Sequence, residues 1–172
     1  MRPFLAFLAA ITTFVVLPSG ASAQGGDDCS APDPIAGLGS FGYDTTSATT
    51  SGFEGGNNLV CGSVYGVLEA DAFFAWTATT AGNVQVTNCG GASDTILNAH
   101  FGSDCSATCV VSSDTPCCDT GTHLLIPAVS AGDVYLIQVA QWTWSSPGHA
   151  GTLVFEVPPV PPGNDTCNAP TA

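Results

Sequence analysis

Short apolar runs, broken at steady intervals by Gly, Asn, Asp and Ser, fill most of the chain between residues 71 and 157. The run Asp71 to Thr79 shows the alternation clearly: on an extended segment, Phe74 and Trp76 point to one face and Phe73 to the other. The steady spacing of such runs, with no credible helix among them, is typical of antiparallel all-β domains. It predicts a β-sandwich of jelly-roll type with about eight or nine strands.

The strands are separated by turns of small and polar residues. The clearest are Ala81-Gly82-Asn83 and the segment Val129 to Asp133, because each lies between two alternating runs. Residues 24–34 are polar and rich in Gly and Pro, so no strand is predicted there. The predicted strands are Phe41–Thr50, a short strand or extended cover at Val60–Glu69, Asp71–Thr79, Val84–Cys89, Thr95–Phe101, Cys109–Ser112, Thr122–Pro127, Val134–Gln141 and Gly151–Val157.

The first 23 residues have the pattern of a secretory signal peptide. Arg2 gives a short positive region, the apolar run Phe4 to Leu17 follows, and Ala21-Ser22-Ala23 is a small-residue cleavage site before Gln24. A membrane anchor is the alternative, but the run is shorter than the roughly 20 residues that span a bilayer. The sequence therefore predicts a secreted or cell-surface protein that is not inserted in a membrane after the signal is cut.

The charge of the chain excludes two classes of partner. The formal net charge is −13, and Arg2 is the single residue among Lys and Arg, so the chain after the signal keeps 14 acidic residues and no Lys or Arg. Nucleic acids and anionic lipids are bound through Lys and Arg, so neither is an expected partner. Each carboxylate must then be solvated, accept backbone N–H groups, or coordinate a cation.

Eight cysteines in a secreted chain indicate disulfides. Cys29 paired with Cys61 would attach the N-terminal segment to the domain, and the next five cysteines would tie the middle loops. The alternative is a zinc site built on Cys105 and Cys109 with the adjacent pair Cys117 and Cys118. Spacing alone does not determine the pairing. The cysteines are Cys29, Cys61, Cys89, Cys105, Cys109, Cys117, Cys118 and Cys167.

The C-terminal part of the sequence suggests a repeat. Residues 24–157 form the predicted sandwich, and residues 158–163 are a Pro-rich linker that we expect to be extended and semi-rigid. The motif Gly163-Asn-Asp-Thr-Cys-Asn-Ala-Pro170 then repeats Gly26-Asp-Asp-Cys-Ser-Ala-Pro32 with one inserted residue. The sequence thus predicts that residues 164–172 are the start of a truncated second repeat in a tandem array.

The order of several short motifs resembles the bacterial pre-peptidase C-terminal domain and its tandem relatives in secreted proteins. The resemblance covers about residues 26–157 and implies a jelly-roll-like sandwich that serves as a non-catalytic appendage. Some related collagen-binding modules bind Ca²⁺ and matrix polymers. The chain differs from these relatives in lacking a peptidase domain and in carrying Trp in its last loop. The motifs are Gly26-Asp-Asp-Cys29, Thr45-Thr-Ser-Ala-Thr-Thr50, Asp71-Ala-Phe-Phe-Ala-Trp-Thr77, Gly82-Asn-Val-Gln-Val-Thr-Asn-Cys89, Ser93-Asp-Thr-Ile-Leu97, Ser113-Asp114 and Ala131-Gly-Asp-Val-Tyr-Leu-Ile-Gln-Val139.

Two groups of aspartates are candidate Ca²⁺ ligands. Asp94, Asp114 and Asp119 lie in loops that would converge at one end of a sandwich, where their mutual repulsion would favour a bound cation. Asp27 and Asp28 form the second group, at the start of the domain, where an ion would stiffen the junction between modules. The alternative for both groups is ordinary turn chemistry, in which Asp side chains accept nearby backbone N–H groups.

Trp142 and Trp144 are two residues apart, so on an extended segment both indoles point to the same side. Exposed, they would form a stacking platform for sugar rings. The alternative is that both indoles cover an open end of the core.

Nothing in the sequence predicts catalysis. His100, His123 and His149 are scattered, and neither a G-x-S-x-G nor an H-E-x-x-H motif is present. Gly37 to Gly42 matches G-x-G-x-x-G, but the β-branched run after it rules out the helix that a dinucleotide site needs.

The expected function is adhesion, spacing or targeting by a non-catalytic module. The runner-up is a carbohydrate- or matrix-binding module, with polysaccharide or neighbouring repeats as partners, and a secreted hydrolase is a distant third.

Overall fold

The computed structural model describes residues 25–51, 59–60, 63–64, 68–89, 94–115, 121–142 and 148–159, with only the backbone for 59–60, 63–64 and Trp142. The predicted signal peptide and the start of the second repeat lie outside these ranges. The described part contains strands and no helix, and hence no helix that could cross a bilayer. The strands are β1 (Asp33–Ala36), β2 (Gly39–Asp44), β3 (Leu59–Val60), β4 (Ser63–Val64), β5 (Leu68–Thr77), β6 (Gly82–Thr87), β7 (Thr95–Phe101), β8 (Thr108–Ser113), β9 (His123–Val129), β10 (Val134–Trp142) and β11 (Ala150–Glu156).

Nine of these strands form two sheets, which confirms the predicted all-β sandwich. The five-stranded sheet has the order β1-β5-β10-β7-β8, and the four-stranded sheet has the order β2-β11-β6-β9. All pairings in the two sheets are antiparallel except that of β1 with β5. The short strands β3 and β4 pair only with each other.

The core lies between the two sheets and is centred on Trp76. Its indole stacks on Phe155 of the opposite sheet with ring centroids 4.9 Å apart, and lies 5.9 Å from Tyr135. The indole N–H donates to the carbonyl oxygen of Gly37 at 2.8 Å, so its polar atom is satisfied although the side chain is 1% exposed. The predicted alternation along β5 is confirmed, because Phe74 and Trp76 belong to this core and Phe73 to a second cluster.

The second face of the five-stranded sheet is also buried, and it carries a row of polar side chains. Asn98 donates through Nδ2 to Gln138 Oε1 at 2.8 Å, and Gln138 donates through Nε2 to Asp71 Oδ2 at 2.8 Å. Ser51 donates to the same carboxylate through its N–H and its hydroxyl. The row connects β7, β10 and β5. Through it, the buried carboxylate of Asp71 is stabilised by hydrogen-bond donors in place of a cation.

The disulfide pairing differs from the prediction. Cys29 is bonded to Cys105, 76 residues away, and not to Cys61. Cys29 is buried against Phe73 and Leu136 on the second face of the five-stranded sheet, so its partner comes from a loop beside that face. Spacing along the chain could not reveal this, because β7 and β8 become neighbours of the N-terminal segment only in the folded sheet.

Cys109 and Cys89 are also disulfide-bonded. Since Cys105 and Cys109 are both oxidised, the alternative of a zinc site built on them is wrong. Cys61, Cys117, Cys118 and Cys167 lie outside the described residues.

Two strand predictions at the start of the domain are wrong. Strand β1 lies within the segment for which no element was predicted, because Pro34 argues against a strand; here it is accommodated at the edge of the sheet. The predicted strand Phe41–Thr50 ends early, at Asp44. The carboxylate of Asp44 accepts the N–H and the hydroxyl of Thr46, which turns the chain out of the sheet.

The sandwich has two unlike ends. At the turn end, short connections join β1 to β2, β5 to β6, β7 to β8 and β9 to β10. The predicted turn before β10 lies here, with Gly132 at a φ of 94° and the carboxylate of Asp133 accepting the Ser130 N–H. At the loop end, β2, β6, β8 and β10 finish and longer connections follow. The candidate site residues Asp94, Asp114 and Trp142 lie at the loop end.

Replacing Trp76 by Ala should lower the free energy of unfolding by about 3–5 kcal/mol, because it leaves a large cavity between the sheets. Urea unfolding followed by circular dichroism measures the loss. Leu125, which is 44% exposed, provides the control: Leu125→Ala should change stability by no more than about 0.5 kcal/mol. A loss below about 1 kcal/mol in Trp76→Ala would contradict the central position of the indole.

Candidate functional site

The loop end brings two of the predicted cation ligands together. Asp94 immediately precedes β7 and Asp114 immediately follows β8, and these strands are neighbours with Leu97 opposite Ser113. Burial raises the pKa of the Asp114 carboxyl, and the negative charge of Asp94 raises that pKa further. The predicted convergence of these two loops is therefore found, whereas Asp119 lies outside the described residues.

The pair has the chemistry of a hard-cation site. Two carboxylates that lie close together in a chain without Lys or Arg after the predicted signal offer a place where a cation could bind. Carboxylate oxygens are the ligands that Ca²⁺ prefers. Asp94 is exposed and Asp114 is half-buried, so an ion could reach both from solvent.

The backbone of Trp142 lies at the same end. Trp142 is the last residue of β10, and its backbone pairs with Leu68 at the start of β5. The side chain of Trp142 and all of Trp144 lie outside the described part, so the sugar platform and the core cover both stay open as predictions. Strand β10 ends at the loop end, where Gln141 pairs with Thr95 at the start of β7.

A buried polar network closes the core at the loop end. The ring of His149, which follows that segment, hydrogen-bonds to the Tyr43 hydroxyl at 2.6 Å through Nε2, and Gln141 contacts its Nδ1. The His149 backbone N–H donates to Thr45 Oγ1 at 3.0 Å, and the Thr45 N–H donates to the His149 carbonyl at 2.9 Å. These bonds join β2 to both ends of the connection between β10 and β11.

Asn88, just after β6, extends this network across the sandwich. Its Nδ2 donates to Thr95 Oγ1 at 2.6 Å and approaches the Tyr43 hydroxyl at 3.4 Å. Its Oδ1 accepts the backbone N–H of Thr122, and the Thr122 hydroxyl donates to the Thr95 carbonyl. The hydrogen bonds of this network therefore anchor four connections at the loop end. They support the side chains that these connections expose to solvent. Sequence reasoning missed the network; its one signal was Asn88, a polar residue that continues the inward-facing alternation of Val84 and Val86 one residue beyond β6.

The second predicted cation group is not assembled in the way expected. Asp27 accepts from the N–H and hydroxyl of Thr49, while Asp28 accepts the N–H of Ser30, so the two carboxylates bind different segments. Asp28 lies near Cys105, whose disulfide rules out a thiolate ligand. Asp27 instead lines a cavity of about 300 Å³ together with Asp44.

Most of the described aspartates accept a backbone N–H, but only Asp28, Asp44, Asp104 and Asp133 do so in the ordinary turn chemistry that was the alternative to cation binding. Seven of them accept a backbone N–H through the side chain. Hydrogen bonds of this kind favour the ionised carboxylate: the Ser30 N–H lowers the pKa of Asp28, and the hydroxyls of Thr46 and Ser106, with their N–H groups, lower those of Asp44 and Asp104. The seven are Asp27, Asp28, Asp33, Asp44, Asp71, Asp104 and Asp133.

The three histidines serve different parts of the fold. His100 is fully buried on the second face of the five-stranded sheet, and burial lowers its pKa to about 4. His149 belongs to the loop-end network; burial lowers its pKa, and the charge of Asp44 opposes this shift. His123 is half-buried at the start of β9, where its N–H donates to the Thr115 carbonyl. They lie on separate elements, and nothing in the described part forms a Ser-His-Asp arrangement.

Burial of neutral His100 should make the protein less stable as the pH falls. The unfolded chain takes up a proton near pH 6.5 and the folded chain only near 4, so the stability present above pH 6.5 is lost progressively as the pH falls towards 4. The maximum slope from His100 is about 1.4 kcal/mol per pH unit.

Urea unfolding at pH values between 7 and 4 should therefore show a smaller slope for His100→Asn than for the unsubstituted protein. Ile126→Val is destabilised in the core without losing a titratable group, so it should keep the original slope. Equal slopes in His100→Asn and the unsubstituted protein would contradict the shifted pKa.

Among the solved structures that match the chain, two illustrate the likeness. No protein-family model and no curated protein sequence matches the chain. One similar structure is the pre-peptidase C-terminal domain of a collagenase from Bacillus anthracis, the domain type that the sequence motifs resemble: 10% identity, TM-score 0.43, covering 72% of this chain and 93% of that one. The other is PliG of Aeromonas hydrophila, a periplasmic inhibitor of g-type lysozyme: 15% identity, TM-score 0.35, covering 72% and 96%. Both TM-scores are below 0.5, so the function proposed below rests on the chain's own residues.

Proposed function

We propose that the protein is a non-catalytic, secreted or cell-surface β-sandwich module that works by adhesion, spacing or targeting. The observation that carries the proposal is the use of its polar side chains. Seven described aspartates and the ring of His149 hold turns and loops in place, and His100 is buried. A rigid frame built in this way presents its loops at one end, which suits a module that binds or spaces.

The position of the loops favours binding over spacing alone. Asp94, Asp114 and the segment that begins at Trp142 all leave the frame at the loop end. Acidic groups and indoles on one rim suit an uncharged or weakly charged polymer, such as a polysaccharide, bound through ring stacking and a shared cation. A surface without Lys or Arg does not suit an anionic polymer.

Retention on insoluble polysaccharides tests this proposal against catalysis. The protein is incubated with cellulose, chitin or bacterial cell-wall material, and two quantities are followed: the protein removed from solution and the sugar or peptide released. We expect retention without release. Release of soluble fragments that grows with protein concentration would contradict the proposal and favour a hydrolase.

Replacing Trp142 and Trp144 together by Ala should abolish retention on the polysaccharide, because each stacked indole contributes contact area and a favourable ring face. The pull-down is repeated with Leu125→Ala, which removes an exposed apolar side chain from β9 and should bind as the unsubstituted protein does. If the double variant binds normally but melts at a lower temperature, the indoles cover the core and the sugar platform is wrong.

Millimolar Ca²⁺ should raise the melting temperature through Asp94 and Asp114. At a free concentration of 100 times Kd, a single site adds about 2.7 kcal/mol to stability. Asp94→Asn and Asp114→Asn should each abolish most of the increase in melting temperature, as read by differential scanning calorimetry with and without EDTA. Asp104→Asn is the matched control, because Asp104 is an exposed aspartate at the other end of the sandwich. A shift that persists in both loop-end variants would place the ion elsewhere.

A further inference from the structure

The Cys29–Cys105 disulfide joins the beginning of the domain to its middle. Cys29 lies three residues after Gly26, whose backbone exchanges two hydrogen bonds with Phe73 of β5. Cys105 lies in the short connection between β7 and β8, at the turn end. The bond closes a covalent loop that contains β1 to β7, and the chain leaves the domain after β11, also at the turn end.

A chain pulled at its two ends would therefore not transmit force through this loop. With this bond as the one cross-link on the path, tension that enters at Gly26 reaches Cys29, crosses the disulfide to Cys105, and continues through β8, β9, β10 and β11 to Glu156. The backbone of residues 30–104 is not stretched from end to end as long as the disulfide is intact, because the covalent path through the two sulfur atoms is far shorter than the path along the chain.

The strand order strengthens this effect. Strand β8 pairs with β7, and β9 pairs with β6. Strand β10 lies between β5 and β7, and β11 lies between β2 and β6. In the two sheets, each of the four strands under tension is thus hydrogen-bonded to strands of the closed loop and to no other strand under tension. Extension must separate a stretched segment from a segment that is not stretched.

We propose that the Cys29–Cys105 disulfide is a load bypass, which removes residues 30–104 from the path of force and limits how far the module extends. The inference rests on the proposed function in its spacing form, in which the module is joined through its two chain ends to a surface and to a neighbouring module. With the disulfide intact, only the segments outside the closed loop can be extended by force. After the disulfide has been reduced to two thiols, the whole domain can be extended, so a reductant lengthens the tether.

Single-molecule force spectroscopy on the mature chain, with handles attached at its two termini, tests the proposal. A variant keeps Cys29, Cys61 and Cys105 and has Ser at the other five cysteines, so that Cys29 has both its predicted and its observed partner to choose from. We expect the unfolding contour length to be about 26 nm shorter without reductant than with it, which is the span of the 76 residues between Cys29 and Cys105.

Two outcomes would overturn the proposal. A difference of about 11 nm would mean that Cys29 pairs with Cys61, and no difference would mean that force does not cross a disulfide. If the five-fold variant does not fold, Cys167→Ser is compared with Cys29→Ser/Cys105→Ser/Cys167→Ser, which should extend further whatever the remaining pairings are. Polysaccharide retention is measured separately, so loss of retention counts against the proposed function and an unchanged contour length counts against the load bypass.

Discussion

The absence of Lys and Arg from the chain after the predicted signal is the constraint on which the rest of the structure depends. A carboxylate in such a domain has no side-chain cation to offset its desolvation, so burial requires hydrogen-bond donors from the backbone or from amides. Asp71 shows the result: it is 2% exposed and is surrounded by donors from Ser51 and Gln138. Since these donors come from distant parts of the chain, neutralising the charge also fixes the fold.

The strands were predicted from the alternation of apolar and polar residues. The predicted bounds were most accurate for a strand with an antiparallel neighbour on each side. Thr95–Phe101 was predicted with its correct bounds. The prediction failed at β1, where the edge of the sheet tolerates Pro34. It also failed where one side chain, that of Asp44, ended a strand. The partner of Cys29 was beyond its reach, because that partner is set by the order of strands across the sheet and not by distance along the chain.

The candidate site divides in the same way. The convergence of Asp94 and Asp114 followed from the expectation that hairpin loops meet at one end of a sandwich, and the charge of Asp94 does reach Asp114. The network of Asn88, Tyr43 and His149 beneath it was not predicted, because its members are polar residues on otherwise apolar faces. Only the three-dimensional structure shows that these exceptions meet one another and hold the loops from inside.

The interleaved strand order also governs how the protein reaches its native state. Once β5 and β7 have been made, the position between them in the sheet stays empty until β10 follows. The position between β2 and β6 likewise stays empty until β11 follows. Neither sheet can close early, and most pairings have a large sequence separation, so folding is expected to be slow and to finish only with the last strand. Both cysteines of the Cys29–Cys105 bond precede those late strands. An oxidising compartment can therefore hold the half-built sheets together while the remainder of the chain is still being delivered.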